Sequence, residues 1–325
     1  MPDISKINAL AIGSVSKVDG LAKASILDIN GVAVPSAVAP PLDTYTGSAA
    51  AYSVRLLRTA YTGACMRVRR ASDNVEADIA FDAGELKLTS GVSNTSDAQS
   101  YTDFADFVDH TGTPTDAFCR YWYDQSGNAA DVGQAVAPSQ PKIYDSSVPD
   151  FTKENSKPAL ECFDSEGLIL TGTGVTFPIT LFVAYTRDGP ASGYLNGLVA
   201  LDRPLSGAYC LFNITSTGTV CQTGHDGYKI MSNTTSTTTG DMGLYHLLVN
   251  GTSSQIGING SITTGTLTST GSTTNISMNY VAYQGGNGNN ADNHVSEYII
   301  FDDAKNSSDV TGIESNINGF FSIYP

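Results

Sequence analysis

Two stretches decide how this chain folds: ITLFVAY at 179–185 and SQIGINGSIT at 254–263. The first is apolar on both faces, the pattern of a central β-strand covered from above and below. The second alternates around Asn259-Gly260, a dipeptide that accepts the positive φ angles of a two-residue hairpin turn. Working outward, short strand patterns recur at 159–163, 167–171, 196–201, 208–214, 244–250, 254–258, 261–267, 278–283 and 295–301. Two more precede them, at 64–70 (ACMRVRR, Met66 and Val68 on one face, Arg67 and Arg69 on the other) and at 118–123 (FCRYWY). Many short strands and few helices predict a two-sheet sandwich or jelly roll.

Three segments read as helices. SAAAYSVRLLRTAY (48–61) offers Ser48 as an N-cap and repeats Tyr52, Leu56 and Ala60 at i+4. YTDFADFVDH (101–110) places Phe104 and Phe107 at i and i+3. The C-terminal segment has capping candidates Ser307, Ser308 and Asp309 and an apolar stripe of Val310, Ile313, Ile317 and Phe320. Residues 232–240, SNTTSTTTG, read as an exposed loop.

The composition agrees. Hydrophobic residues make up 41% of the 325, enough for a core, while only 15% are charged and 32 are Gly. Abundant Thr, Tyr and turn formers suit strands and loops rather than helical bundles. A formal net charge of −15 repels phosphate backbones, which excludes nucleic acid as a partner. No apolar run approaches the about 18 residues of a membrane helix, so membrane insertion is not expected. The opening MPDISKINALAIGSV lacks a basic region followed by an apolar one, so the chain is expected to be made in a cytosol and kept there or released by lysis. The five cysteines are scattered, no Cys-x-x-Cys occurs and His numbers four, so neither a metal site nor a cofactor is expected. The thiols should be free; only Cys210 and Cys221 stand where a hairpin could bring them together.

The N-terminus repeats itself every eleven residues: INALAIGSVSK (7–17), VDGLAKASILD (18–28), INGVAVPS (29–36). Rows this short must pack on neighbours or on a partner. The apolar side chains available for that are Ile7, Leu10 and Ile12, then Val18, Leu21 and Ile26, then Ile29, Val32 and Val34. The expected organisation is an attachment arm at 1–36, a Pro-rich linker at 37–47 and a sandwich at 48–325.

Five of the eight arginines lie between Arg55 and Arg70, followed by Asp73, Glu76 and Asp78. Internal ion pairing is the expected use. DQSGNAAD (124–131) spaces oxygen donors alternately but lacks the closing Glu of an EF-hand, so it reads as a turn held by Asp124 and Asn128.

AYSVRLLRTAYTGACMRVRRASDN (51–74) followed by YWYDQSGNAADVGQA (121–135) resembles the catalytic domain of fungal-type α-L-arabinofuranosidase B. It resembles still more the concanavalin A-like (laminin G-like) domains of bacteriophage structural proteins, as do KPALECF (157–163) and VSEYIIFDDAKNSSDVTGIESNINGFFSIY (295–324). The resemblance implies an all-β, concanavalin A-like jelly roll with a few peripheral helices. It also locates two catalytic positions. The family's acid/base Asp precedes the strand matched by Glu297, where GGNGNNADNH (285–294) brings Gly286 into that place. The family's nucleophile Glu falls in a stretch matched by NGLVALDRPLS (196–206), which holds Asp202 and no Glu. Retaining glycosidases need both carboxyl groups, so no catalytic residue is carried over. Asp202 with Asp292 or Glu297 is the remaining substitute pair.

The resulting expectation is a virion surface protein: a tail fibre, a receptor-binding subunit or a capsid-decorating subunit. Its sandwich would be lectin-like and non-catalytic, and its arm would bind other virion proteins. Further copies of the chain and a host surface glycan are the other expected partners. Tyr228, Tyr283, Asn287, Asn289 and Asn290 combine the aromatic and amide chemistry of a sugar site. The alternatives are an arabinofuranosidase-like hydrolase or virion depolymerase, and a free carbohydrate-binding module.

Overall fold

The computed structural model describes residues 39–163, 166–170, 174–188, 231, 233, 235, 237–267 and 293–325 with their side chains, together with the backbone of the strands outside them. It divides into two units, Met1–Ala39 and Pro40–Pro325.

In the first unit the eleven-residue repeat is a repeated two-stranded hairpin. Lys6–Ile7 pairs with Leu10–Ala11, Lys17–Val18 with Leu21–Ala22, and Asp28–Ile29 with Val32–Ala33, each antiparallel. The residue that opens each row faces the aliphatic three positions on: Ile7 with Leu10, Val18 with Leu21, Ile29 with Val32. In the sequence Asn8-Ala9, Asp19-Gly20 and Asn30-Gly31 fall between them, and Asp-Gly and Asn-Gly are tight-turn dipeptides. Ile12, Ile26 and Val34 lie outside the described residues.

The second unit is antiparallel throughout. The strand Ile179–Arg187 is its centre, buried at every position and paired on one side with Met242–Val249 and on the other with Asn293–Phe301. The sheet continues from Met242–Val249 to Gly251–Ile258 and Ser261–Leu267, and from Asn293–Phe301 to Ser48–Ser53. Asn259 and Gly260 turn the expected hairpin with φ of 49° and 77°. A second run of strands joins Glu76–Ile79, Met66–Arg70, Ala117–Trp122, Val132–Gly133, Leu168–Thr171, Asn275–Met278, Asn196–Asp202, Cys210–Thr215, Gly218–Thr223 and Lys229–Asn233. Leu160–Cys162 links the two runs, pairing with Asn293–Phe301 and with Lys142–Asp145. Between them, the Trp122 ring lies 6.1 Å from Tyr52 and 6.3 Å from Tyr298.

Several expectations change. The segment 48–61 is not a helix: Ser48–Ser53 is a strand, and Ser48 starts it opposite Phe301 instead of capping a turn. The i+4 recurrence of Tyr52 and Leu56 carries no helix, because edge pairing with the Asn293–Phe301 strand satisfies this backbone and buries Ala50, Ala51 and Tyr52. The C-terminal helix, Ser307–Phe321, is capped by Asn306, whose Oδ1 accepts the Asp309 N–H at 3.0 Å. Val310, Ile313 and Ile317 face inward as expected, but Phe321 completes the stripe and Phe320 is only partly buried. The far end of the 37–47 connector is packed: Pro41–Asp43 form a 3-10 turn, Leu42 is buried, and its N–H donates to the Leu57 carbonyl at 2.9 Å. An apolar residue in reach of an open core buries itself whatever the neighbouring prolines. Residues 232 and 233 extend a strand rather than begin the loop, and Asn233 is buried. Of the strand read at 278–283, only Met278 lies within the described elements.

Cys65, Cys119 and Cys162 are free and buried, as expected of scattered thiols. The backbone register sets Cys210 opposite Thr223 and Cys221 opposite Phe212, so the two cysteines are not direct cross-strand partners.

Candidate functional site

Four chain segments bring titratable side chains together at one end of the central strands. Asn293–Phe301 pairs His294 with Thr186 on one neighbouring strand and with Glu161 on the other. Cross-strand partners share a face of the sheet, so Thr186, His294 and Glu161 point the same way. Asp188 directly follows the strand Ile179–Arg187, and Glu154 comes from the small hairpin of Lys153–Glu154 with Lys157–Pro158. His294 Nδ1 lies 2.5 Å from Asp188 Oδ2 and 3.2 Å from Glu154 Oε1, while Nε2 lies 3.8 Å from Glu161 Oε1. Glu154 Oε2 accepts the Thr186 hydroxyl at 2.9 Å.

The cluster holds more negative charge than its imidazole neutralises. Burial pulls the His294 imidazole down, but the hydrogen bond to Asp188 and the charges of Asp188, Glu154 and Glu161 outweigh it and hold it above its usual value. Burial pushes the Glu154 carboxyl up; the Thr186 bond and His294 pull it back, Asp188 and Asp241 push it further, and the net shift is upward. Glu161 is raised in the same way, by burial first, against the pull of His294 and Lys142. One donor atom each from Glu154, Asp188 and His294 lies within 4.8 Å of the others, so these three could hold a metal ion. Positions 154, 161, 188 and 294 form no spacing motif, so only strand pairing reveals them.

Glu297 is unavailable as a catalytic group. It is fully buried, and its carboxylate takes Arg55 Nε at 2.7 Å, Arg55 Nη2 at 2.9 Å and the Ser53 hydroxyl at 2.7 Å. Of the other substitute candidates, Asp202 is described by its backbone alone, opposite Asn275, and Asp292 lies outside the described residues. Gly286 and the sugar-site candidates Tyr228, Tyr283, Asn287, Asn289 and Asn290 lie outside them too.

The 124–131 segment is the expected turn. Asp124 Oδ1 accepts the N–H groups of Ala51 (2.8 Å) and Ser126 (2.9 Å). Its Oδ2 accepts the Ser126 hydroxyl (2.6 Å) and the N–H groups of Asn128 and Ala130 (both 3.2 Å). Gln125 works beside it, accepting Leu57 N–H at 2.8 Å and donating to the carbonyls of Ser53 and Arg55. Asp-Gln-Ser-Gly-Asn thus staples the strand at 48–53 to the sandwich. Arg67 pairs with Glu76 and Asp78, and Arg70 with Asp73, as expected, while Arg55 pairs instead with the distant Glu297. Arg69 departs from this, bonding to neutral acceptors on Gln140 and Asn74.

No protein family model and no curated protein matches this chain. Solved structures do. A mutant GH54 α-L-arabinofuranosidase soaked with 4-nitrophenyl α-L-arabinofuranoside matches with TM-score 0.58 and 16% identity, over 86% of this chain and 65% of that one. The same family's enzyme soaked with a cyclic sulfate inhibitor gives 0.55 at 16% identity over 86% and 65%. An arabinofuranosidase complexed with arabinofuranosyl-α-1,2-xylobiose gives 0.54 at 17% identity, again over 86% and 65%. The chain thus spans about two thirds of those proteins, 65% of their length. At this identity the likeness establishes the fold alone: an antiparallel β-sandwich, here with helices at Phe104–Val108 and Ser307–Phe321.

Proposed function

We propose that this sandwich is a lectin-like, non-catalytic glycan-recognition domain carried on the surface of a virion. The observation that carries the reading is Glu297. The fold is that of sugar-cleaving arabinofuranosidases, yet the carboxylate on the strand next to the family's acid/base loop is buried and locked to Arg55. With Gly286 in the acid/base place and no Glu in 196–206, the matched positions lack the two carboxyl groups that cleavage needs, and such a sandwich retains a use in holding sugar rather than cutting it. The eleven-residue hairpin repeat supports the second half of the reading. A two-stranded hairpin is marginal alone, so rows of them gain stability by stacking on other copies or on another virion protein.

Both halves are tested on the full-length chain. Screening an array of bacterial surface polysaccharides should give saturable binding to a subset of them, and binding to none overturns the glycan half. Deleting residues 1–36 should leave a folded sandwich that no longer joins particles or oligomers. Normal assembly of the truncated chain overturns the attachment half.

A further inference from the structure

We infer that Glu154, Asp188 and His294 form a binding site for one divalent cation of the zinc type, with a fourth position open to an oxygen ligand from solvent. The argument begins with the donor set. An imidazole nitrogen with two carboxylate oxygens suits zinc and its first-row neighbours, whereas calcium takes six to eight oxygens. Three protein ligands with one exchangeable position is the arrangement of open zinc sites.

Distances agree with that ion. Tetrahedral ligands at about 2.0–2.1 Å from zinc stand roughly 3.3 Å apart. His294 Nδ1 and Glu154 Oε1 are already 3.2 Å apart. His294 Nδ1 and Asp188 Oδ2 are hydrogen-bonded at 2.5 Å and must separate by somewhat under 1 Å. The metal takes the place of that hydrogen bond between the same two atoms, and the imidazole then carries its proton on Nε2, toward Glu161.

The surroundings supply the outer contacts that metal ligands use. Thr186 holds Glu154 by Oε2, which leaves Oε1 turned to the imidazole. Glu161 stands behind Nε2, the place of the carboxylate in a carboxylate–histidine–metal triad. A single imidazole faces three half-buried carboxylates, and a divalent ion balances that charge better than a proton does. The site does not depend on glycan binding.

The test uses the full-length chain after dialysis against a chelator. Titration calorimetry with zinc chloride alone should show one ion per chain. Calcium chloride should bind more weakly. Asp188→Asn, which keeps size and shape, and His294→Gln should each weaken zinc at least about tenfold. Cobalt(II) should show the visible absorption of a four-coordinate N/O site, lost in the same variants. No zinc binding, tighter binding of calcium, or zinc affinity unchanged in Asp188→Asn overturns the inference. Asp188 lies just past the end of its strand, so that variant remains informative if His294→Gln fails to fold.

Discussion

Arg55 and Glu297, 242 positions apart in the chain, meet in a buried two-point ion pair, Nε to Oε2 at 2.7 Å and Nη2 to Oε1 at 2.9 Å. The guanidinium also lies 4.8 Å from the centre of the Phe320 ring, so the pair ties the strand at 48–53, the strand at 293–301 and the C-terminal helix to one point. Removing one partner strands a charge in the interior. Glu297→Gln or Arg55→Met should each cost about 3–5 kcal/mol, whereas the double variant Arg55→Met with Glu297→Leu should cost markedly less than their sum. Urea unfolding measures this, and an unchanged midpoint in Glu297→Gln would show the pair to be dispensable.

Asp124 has five donors on one carboxylate, two of them N–H groups of the buried residues Ala51 and Ala130. Asp124→Ala should destabilise the sandwich by about 3 kcal/mol and open the 124–131 turn to proteases, because buried donors lose their acceptor. Asp124→Asn keeps an acceptor oxygen and should cost less. Added calcium should leave the wild-type unfolding midpoint where it is, since the carboxylate is already saturated. A calcium-dependent rise at this turn would restore the metal-loop reading.

The purified chain should not turn over an aryl α-L-arabinofuranoside. Gly286 stands in the acid/base place, 196–206 holds no Glu and Glu297 is committed to Arg55, and a double displacement without its nucleophile or its acid does not proceed. Release of the aryl group that disappears in Asp202→Asn or Asp292→Asn would instead establish a substitute pair and a hydrolase.

Acid should weaken the fold through particular carboxylates. The Arg70 guanidinium hydrogen-bonded to Asp73 holds that carboxyl below its usual range. Burial raises Asp116, but the Ser146 hydroxyl and N–H and the Lys142 charge outweigh it, and the net shift is again downward. A folded value below the unfolded one of about 3.9 adds stability that is complete above the unfolded value and lost as pH falls through the folded one. Denaturation at stepped pH should therefore show a decline below about pH 4 that is shallower in Asp116→Asn. An equal slope in that variant would remove Asp116 from the account.

The sequence by itself determined the sheet and its turns. The run ITLFVAY is buried at every position and Asn259-Gly260 turns its hairpin, because side-chain period and turn chemistry are local properties. The pairing of Arg67 and Arg70 and the 124–131 turn were legible for the same reason: Asp73, Glu76 and Asp78 follow closely in the chain, and Ser126, Asn128 and Ala130 share one motif with Asp124. Where local pattern and distant pairing compete, the sequence misleads. Ser48–Ser53 carries a helical spacing but becomes a strand, since its backbone partner is some 250 residues away and outbids local propensity. Only the tertiary structure decided the chemistry. It committed Glu297 to Arg55, and it gathered Glu154, Glu161, Asp188 and His294 from four segments by strand register. Charges attract in three dimensions over a few ångströms, and sequence distance says nothing about which of them share a face.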